Sequence, residues 1–233
     1  MFRKKEINVD INTTEFSSAV AVSNNPVDLV RALQKRDYSV ISIPEQIRLY
    51  LEHPLNAMAF GYGNWVEGAV LYTPEEYPKF LQRSPILDAV RNRTYSRKSN
   101  GEFEINEPDC LKLSENSFSF RDCSHKGGIL SIQIQSFVDN PLILFLLGKD
   151  LARDYASFLN AKERTSMHVY LLPESAVRAK KSSFVRQAYL GGFHTCPKSP
   201  FPEGPCIDMH SGFVQTHAPH IDRVRGIRYR ESL

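Results

Sequence analysis

The chain has 233 residues and a formal net charge of +3, with 42% hydrophobic and 24% charged residues. A chain of this length and composition buries enough surface to fold without disulfides, which excludes wholesale disorder. Its longest strongly apolar run, residues 142–147, is far shorter than the roughly 20 residues that span a bilayer.

The N-terminus predicts a strand and not a secretion signal. Residues 1–6 are basic overall, but Ile7, Val9 and Ile11 then alternate with polar residues, where a signal would carry an apolar segment. We therefore expect a cytoplasmic protein that does not enter a membrane. Because that compartment keeps thiols reduced, the four cysteines are expected to be free thiols or metal ligands.

Caps and prolines mark the helix starts. Asn25 and Asn140 each precede a proline at the first helical position. Ser42 and Thr73 are each followed three residues later by a glutamate, which is the spacing of a capping box. In the helix predicted after Thr73, Pro78 lies beyond the first turn, where proline is poorly tolerated. The predicted helices cover residues 26–36, 44–52, 74–82, 85–93 and 141–160.

Alternation of apolar and polar residues predicts the strands. The clearest pattern is a hairpin: Phe118 and Phe120 alternate with serines, a turn follows at Gly127 and Gly128, and the return strand includes Leu130. Further strands are predicted at residues 38–43, 65–72 and 166–172. This mixture predicts an α+β fold, a mixed, mainly antiparallel sheet with packed helices.

The periodic pattern stops between Pro197 and Pro219, a stretch with five prolines that predicts a long proline-rich C-terminal loop. Loops of more than about 12–15 residues without structure of their own are usually functional or disordered. We divide the chain into an α+β core domain, residues 1–190, and a Cys/His-rich loop with a basic C-terminal tail packed on that core, residues 191–233.

Positive charge is concentrated in the last quarter of the chain. Residues 174–233 contain nine Lys/Arg and five Asp/Glu, which leaves 20 and 21 for the remainder. This excess indicates a surface that faces a polyanion, because arginine forks suit phosphate oxygens and aromatic rings can stack on bases. The candidate nucleic-acid contacts are Arg178, Lys180, Lys181, Arg186, Arg223, Arg225, Arg228, Tyr229 and Arg230.

These residues favour a nucleic-acid-binding function, as a subunit of a larger nucleoprotein assembly. This subunit would contact the phosphate backbone of RNA or DNA, and it would also contact other protein subunits. The alternative for the basic segments is a solvated helix face followed by a charged tail. A third basic and aromatic patch, another contact loop or simply a soluble one, comprises Arg91, Arg93, Tyr95, Arg97 and Lys98.

The C-terminal loop also contains a cluster of cysteines and histidines. Thiolate and imidazole are ligands that zinc prefers. The candidate zinc ligands are Cys196, Cys206, His210 and His217, with His194 or His220 as replacements for the last. This set lacks the closely spaced cysteine pair of most zinc modules, so free cysteines beside surface histidines are the alternative.

The same loop supports an alternative function, that of a hydrolase or transferase, with or without zinc. In that hypothesis Cys196 or Cys206 is the nucleophile, a nearby histidine is the base and Asp208 orients it. The sequence contains none of the standard motifs for a serine nucleophile, a zinc protease or a phosphate loop. The second alternative is a protein-interaction subunit without chemistry.

Overall fold

The structure of the chain is a computed structural model. It describes residues 6–12, 16–23, 26–53, 64–94, 103–104, 107–122, 128–190, 206–208 and 222–229.

Twelve strands form one sheet within these ranges. The strands are β1 (Glu6–Asn12), β2 (Phe16–Ser23), β3 (Ser39–Val40), β4 (Asn64–Tyr72), β5 (Lys79–Leu81), β6 (Phe103–Glu104), β7 (Ser117–Ser119), β8 (Ile129–Gln133), β9 (Ser166–Tyr170), β10 (Phe184–Leu190), β11 (Cys206–Asp208) and β12 (Asp222–Tyr229). The main ladder has the order β1-β2-β12-β4-β10-β11-β9-β8, from which β3, β5, β6 and β7 branch. The pairs β12–β4 and β11–β9 are parallel, whereas the other strand pairs described are antiparallel.

Helices pack against this sheet, and together they confirm the predicted α+β fold. They are α1 (Pro26–Gln34), α2 (Ile43–Glu52), α3 (Pro85–Arg91), α4 (Glu107–Ser114), α5 (Pro141–Ala161) and α6 (Glu174–Arg178). The capping box of Ser42 is confirmed, since its N–H donates to Glu45 Oε2 at 2.7 Å. Asn140 Oδ1 accepts from two backbone N–H groups at the start of α5, each at 3.1 Å. None of the helices described here is long and apolar enough to cross a bilayer.

Three sequence predictions differ from the structure. Residues 74–82 form a turn and then β5, which pairs with β4 and β7, so the predicted helix is wrong. The predicted hairpin is wrong as well, because β7 pairs with β5 whereas β8 pairs with β9. The basic segment 178–186, whose sequence is also compatible with a short helix, leaves the helix after Arg178 and enters β10. In each case pairing with distant strands overrides the local pattern.

Strand β4 lies at the centre of the core. Trp65, Ala69 and Leu71 join a buried cluster that includes residues of α1 and α3. Val66 and Val70 join a second buried cluster, with residues of α2 and α5. Alternate residues of β4 therefore face two different helical layers, as the period of a strand requires.

Strand β4 contains a bulge where it pairs with β10. Gln187 of β10 pairs with Ala69 and Tyr189 pairs with Trp65, so β4 has two more residues between these pairs than β10 has. Gly68 lies in this bulge with a φ of 139°, a value that side-chain-bearing residues rarely adopt.

The side chain of Gln187 satisfies the backbone of this bulge. Its Nε2 donates to the carbonyl oxygens of Val66 at 2.5 Å and Gly68 at 2.7 Å. Its Oε1 accepts from Ser84 Oγ at 2.5 Å. Ser84 also accepts from Leu87 N at 3.4 Å as the N-cap of α3. One buried amide therefore joins β10, β4 and α3.

Candidate nucleic-acid interface

The arginine-rich segment at the C-terminus is an interior strand. Along its whole length β12 pairs with β2, from Asp222 opposite Ser23 to Tyr229 opposite Phe16. It also pairs with β3 through Gly226 and Ile227, and with β4 through Val224. Within β12, the positions of Arg223 and Arg225 lie on one face of the strand and that of Arg228 on the other. Arg230 lies outside the described residues.

A tight turn after α1 brings further cations to β12. Arg36 N and Tyr38 N donate to Leu33 O, at 2.9 and 3.1 Å, and Asp37 adopts a positive φ of 60°. This turn leaves Lys35 and Arg36 exposed and directs the chain into β3.

Arg228 lies against the ring of the same turn. Its Cζ is 5.2 Å from the ring centroid of Tyr38, a cation–π distance, and its side chain is exposed. Tyr38 itself is buried. We call Lys35, Arg36, Tyr38 and Arg228 the basic turn.

Gly226 permits this close approach of the turn to β12. A Cβ atom at this position would lie 2.9 Å from Tyr38 Cβ and 2.9 Å from Leu33 Cδ2. Both distances are shorter than real contacts of this kind, so the absence of a side chain at residue 226 lets the turn pack on the strand.

The electrostatics of the basic turn favour an anion. Lys35 and Arg36 follow the C-terminus of α1, where the helix dipole favours positive charge. The aromatic ring of Tyr38 restricts Arg228 while the guanidinium stays exposed to solvent. Lys35, Arg36 and Arg228 make no ion pair with another described residue, in contrast to Arg178, which pairs with Glu174.

The other predicted basic segment lies on a different part of the sheet. Lys180 Nζ is 5.8 Å from the ring centroid of Phe184, and Lys181 is exposed. Arg186 is half-buried in β10, opposite Val70 of β4. Because β4 lies between β10 and β12 in the ladder, the two basic segments do not form one continuous row of arginines.

The third basic patch contributes to the fold. Arg91 Nη1 is 2.7 Å from Asp88 Oδ1, and Arg91 Nη2 is 3.5 Å from Glu67 Oε1. Burial raises the pKa of Glu67, although the charge of Arg91 opposes this shift. Arg93 is exposed at the end of α3, and residues 95–98 lie outside the described residues.

The structure places one of the four candidate zinc ligands. Cys206 begins β11, in register with His168 of the parallel strand β9. Cys196, His210 and His217 lie outside the described residues, so the zinc site stays a prediction. In the described part of the chain, no group of three or more His, Cys, Asp or Glu residues could hold a metal ion.

His168 is a neighbour of Cys206 that the sequence did not indicate. It is half-buried, its Nε2 lies 3.4 Å from Ser166 Oγ, and burial lowers its pKa. Its Nδ1 is buried and forms no hydrogen bond with any described residue. Asp208, the predicted orienting residue, lies in β11 in register with Tyr170 of β9, and its predicted role stays a prediction.

Sequence reasoning also missed Lys35, Arg36 and Tyr38. The local signal is visible as Gln-Lys-Arg-Asp-Tyr at the C-terminal end of a helix. Only the pairing of β3 with β12 shows that this signal belongs with Arg228, which lies 190 positions further along the chain than Tyr38.

Comparisons with known proteins identify a fold. No family model matches the chain, and no curated protein matches it. Among solved structures it is similar to one described as "Accommodation of massive sequence variation in Nanoarchaeota by the C-type lectin fold". The match has a TM-score of 0.60 and 14% sequence identity, and covers 99% of this chain and 100% of the other. At this identity the likeness concerns the fold alone, and the chain has a C-type lectin-like fold.

Proposed function

We propose that this protein binds the phosphate backbone of nucleic acid through the basic turn and β12, as a subunit of a larger nucleoprotein assembly. The observation that carries the proposal is Arg228, exposed and held against Tyr38 beside the exposed Lys35 and Arg36. An arginine held in this way presents its N–H fork to phosphate oxygens with less loss of side-chain entropy than a mobile one.

Ion pairing distinguishes Arg178 and Arg91 from the cations of the basic turn. Arg178 and Arg91 are neutralised by acidic neighbours on their own helices, Glu174 and Asp88. Since no described carboxylate pairs with Lys35, Arg36 or Arg228, a phosphate would not have to displace one of them. Phosphate binding at the turn therefore costs less than at the paired arginines.

The fold likeness is compatible with this assignment. The similar structure is described as a fold that accommodates massive sequence variation. We infer that in such a scaffold the exposed residues, and not the architecture, determine what is bound. For this chain those residues include the basic turn.

The test is fluorescence anisotropy of labelled RNA and DNA from low to physiological salt. We compare the wild type with the triple variant Lys35→Glu, Arg36→Glu and Arg228→Glu. The matched control is Arg153→Glu, another exposed arginine, on α5. We expect the triple variant to lose most of its affinity and the control to keep it. Equal binding by the triple variant and the wild type would remove the proposal.

A second candidate function rests on the pairing of Cys206 with His168. In-register positions of neighbouring strands share a face of the sheet, so Cys206 and His168 occupy adjacent positions on one face. We propose as the alternative a thiol-dependent hydrolase or transferase with Cys206 as nucleophile and His168 as base.

The rate at which iodoacetamide alkylates Cys206, mapped by mass spectrometry, tests this alternative. The thiol would lose its proton to the imidazole, and sulfur would displace iodide from carbon. We expect His168→Ala to slow the reaction near neutral pH, with His53→Ala as a control at another histidine. The same rate in wild type and His168→Ala would exclude His168 as the base.

A further inference from the structure

A second pair of a cation and an aromatic ring lies away from the basic turn. Arg121 Cζ is 6.0 Å from the ring centroid of Tyr77. The Tyr77 side chain is 48% exposed, one of the most exposed large apolar side chains in the described part of the chain. Exposed tyrosine faces beside cations are the usual stacking platforms for unpaired bases.

Strand register places this pair at one edge of the sheet. Lys79 of β5 pairs with Leu71 of β4 and with Ser119 of β7. Phe120 N, directly after β7, donates to Pro78 O, directly before β5, at 3.0 Å. Tyr77 and Arg121 therefore lie side by side at one edge of the sheet, formed by the ends of β4 and β7 and the start of β5.

Lysines of the first basic segment emerge at the same edge. Phe184, the first residue of β10, pairs with Tyr72, the last residue of β4. Lys180 and Lys181 lie four and three residues before Phe184, and Lys180 Nζ is 5.8 Å from the Phe184 ring centroid, which places them at the edge that carries Tyr77. We call Tyr77, Arg121, Lys180 and Lys181 the aromatic edge.

The dimensions and charges of the aromatic edge suit a short length of single strand. From β7 through β5 and β4 to β10 there are three strand spacings, about 14 Å in all. Of the acidic residues nearby, Glu76 is paired with Lys79 at 2.6 Å and Glu174 with Arg178. The other acidic residues at this end of the strands are Glu75, which is exposed, Asp122, directly after Arg121, and Glu104 of β6, in register with Phe184.

We propose that the nucleic acid is single-stranded and that Tyr77 stacks on one of its bases, while Arg121, Lys180 and Lys181 contact the flanking phosphates. This inference rests on the proposed function. A base in a duplex is already stacked on its neighbours, so the aromatic edge gains from a base only where the strand is unpaired. The basic turn lacks such a platform among its described residues, because Tyr38 is buried.

The experiment compares the affinities for a labelled single strand and for the duplex of the same sequence. The proteins are the wild type, Tyr77→Ala, Tyr77→Phe and, as a control at another exposed apolar residue, Leu111→Ala. Stacking on an aromatic side chain changes affinity by about 5- to 150-fold per base. We expect Tyr77→Ala to bind the single strand at least about fivefold more weakly, and Tyr77→Phe and Leu111→Ala to bind it within about twofold of the wild type.

The outcomes separate this inference from the proposed function. If the wild type binds neither strand form at low salt, the proposed function fails. If it binds both forms and Tyr77→Ala binds the single strand like the wild type, only the stacking inference fails. Thermal unfolding of each variant shows whether a loss of binding reflects a loss of structure. Should Tyr77→Ala unfold, Arg121→Gln replaces it, and an unchanged single-strand affinity in Arg121→Gln would overturn the inference.

Discussion

The β4 bulge and the basic turn use polar groups in opposite ways. At the bulge, the Gln187 amide is fully buried and its bonds satisfy the carbonyls of Val66 and Gly68. At the basic turn, the guanidinium of Arg228 is exposed and rests on a single ring, that of Tyr38.

Because of this difference, substitutions in the two regions should change different properties, stability at the bulge and nucleic-acid binding at the turn. A buried polar group whose partner is removed costs about 1–3 kcal/mol, because nothing replaces the lost hydrogen bond. An exposed cation keeps its hydration when a neighbour changes, so its removal changes stability little. We therefore expect substitutions at the bulge to lower the free energy of unfolding and substitutions at the turn to weaken nucleic-acid binding.

The largest effect is expected for Gln187→Leu. This change leaves the carbonyls of Val66 and Gly68 buried without a donor, and it deprives Ser84 of its acceptor. We expect a loss of about 3 kcal/mol in the free energy of unfolding, measured by urea denaturation.

Gln46→Leu is the matched control for this prediction. Gln46 is also fully buried, but neither its Oε1 nor its Nε2 forms a hydrogen bond with a described residue. The substitution should leave the free energy of unfolding unchanged or raise it, because no bonded partner is lost. Equal losses in the two variants would show that burial alone, and not the bonding of Gln187, determines the cost.

Gly226→Ala is expected to affect both properties. The added Cβ meets Tyr38 Cβ at 2.9 Å, which cannot move without the backbone of the turn. Overpacking of this kind costs about 1–3 kcal/mol. Nucleic-acid affinity should fall as well, because Tyr38 no longer lies where Arg228 contacts it.

Gly148→Ala provides the control for Gly226→Ala. Gly148 lies at a kink in α5 with a φ of 71°, and a Cβ there meets no atom within 4 Å. With a ψ of 171° the residue has a conformation that is essentially restricted to glycine, so the substitution should destabilise the protein through backbone strain by about 1–3 kcal/mol without weakening nucleic-acid binding. A similar loss of binding in both variants would mean that lower stability, and not the displacement of Tyr38, reduces affinity.

A smaller effect is expected for Tyr38→Leu. Leucine keeps an apolar side chain in this buried site but removes the ring that contacts Arg228. An exposed cation–π contact contributes about 0.5–1 kcal/mol, so we expect a two- to fivefold loss of nucleic-acid affinity in anisotropy titrations. Tyr38→Phe, which keeps the ring, should bind like the wild type, and a large loss in that variant would implicate the hydroxyl instead.

The smallest effect concerns His168, a half-buried group between the two extremes. Because burial lowers its pKa, the folded protein takes up a proton there less readily than the unfolded chain. Above the ordinary histidine pKa of about 6.5, the contribution of His168 to the free energy of unfolding is fully present. That contribution is lost as pH falls from this value through the lower pKa of the folded protein.

Urea midpoints at pH 7 and pH 5 test the effect of His168. The wild type should lose more stability than His168→Gln between these values. Glu67, whose pKa is raised, acts in the opposite direction but is present in both proteins, so the comparison isolates His168. A larger loss in His168→Gln would contradict the assignment.

The sequence predicted what is local and missed what depends on distant pairing. The caps at Ser42 and Asn140 bond to residues two or three positions away, and both helices begin within one residue of the predicted start. In contrast, Gln187 reaches Val66 across 121 positions, and nothing near either residue in the sequence signals that bond.

The same reason explains the incomplete prediction of the site. The clustering of arginines in the sequence makes Arg228 a candidate contact, whereas no local pattern indicates Tyr38, because it lies beside Arg228 only through the β3–β12 pairing. The predicted helix at 74–82 failed because β5 forms ladders with β4 and β7, which no local capping signal can reveal.

The slope of log affinity against log salt concentration for single-stranded nucleic acid tests the central claim most directly. Each phosphate contact contributes about 0.7 to that slope. If Lys35, Arg36 and Arg228 contact phosphates, their replacement by glutamate should weaken binding and reduce the slope by about 2. An unchanged affinity and slope in this triple variant, with the fold intact, would contradict the assignment of the basic turn as a nucleic-acid contact.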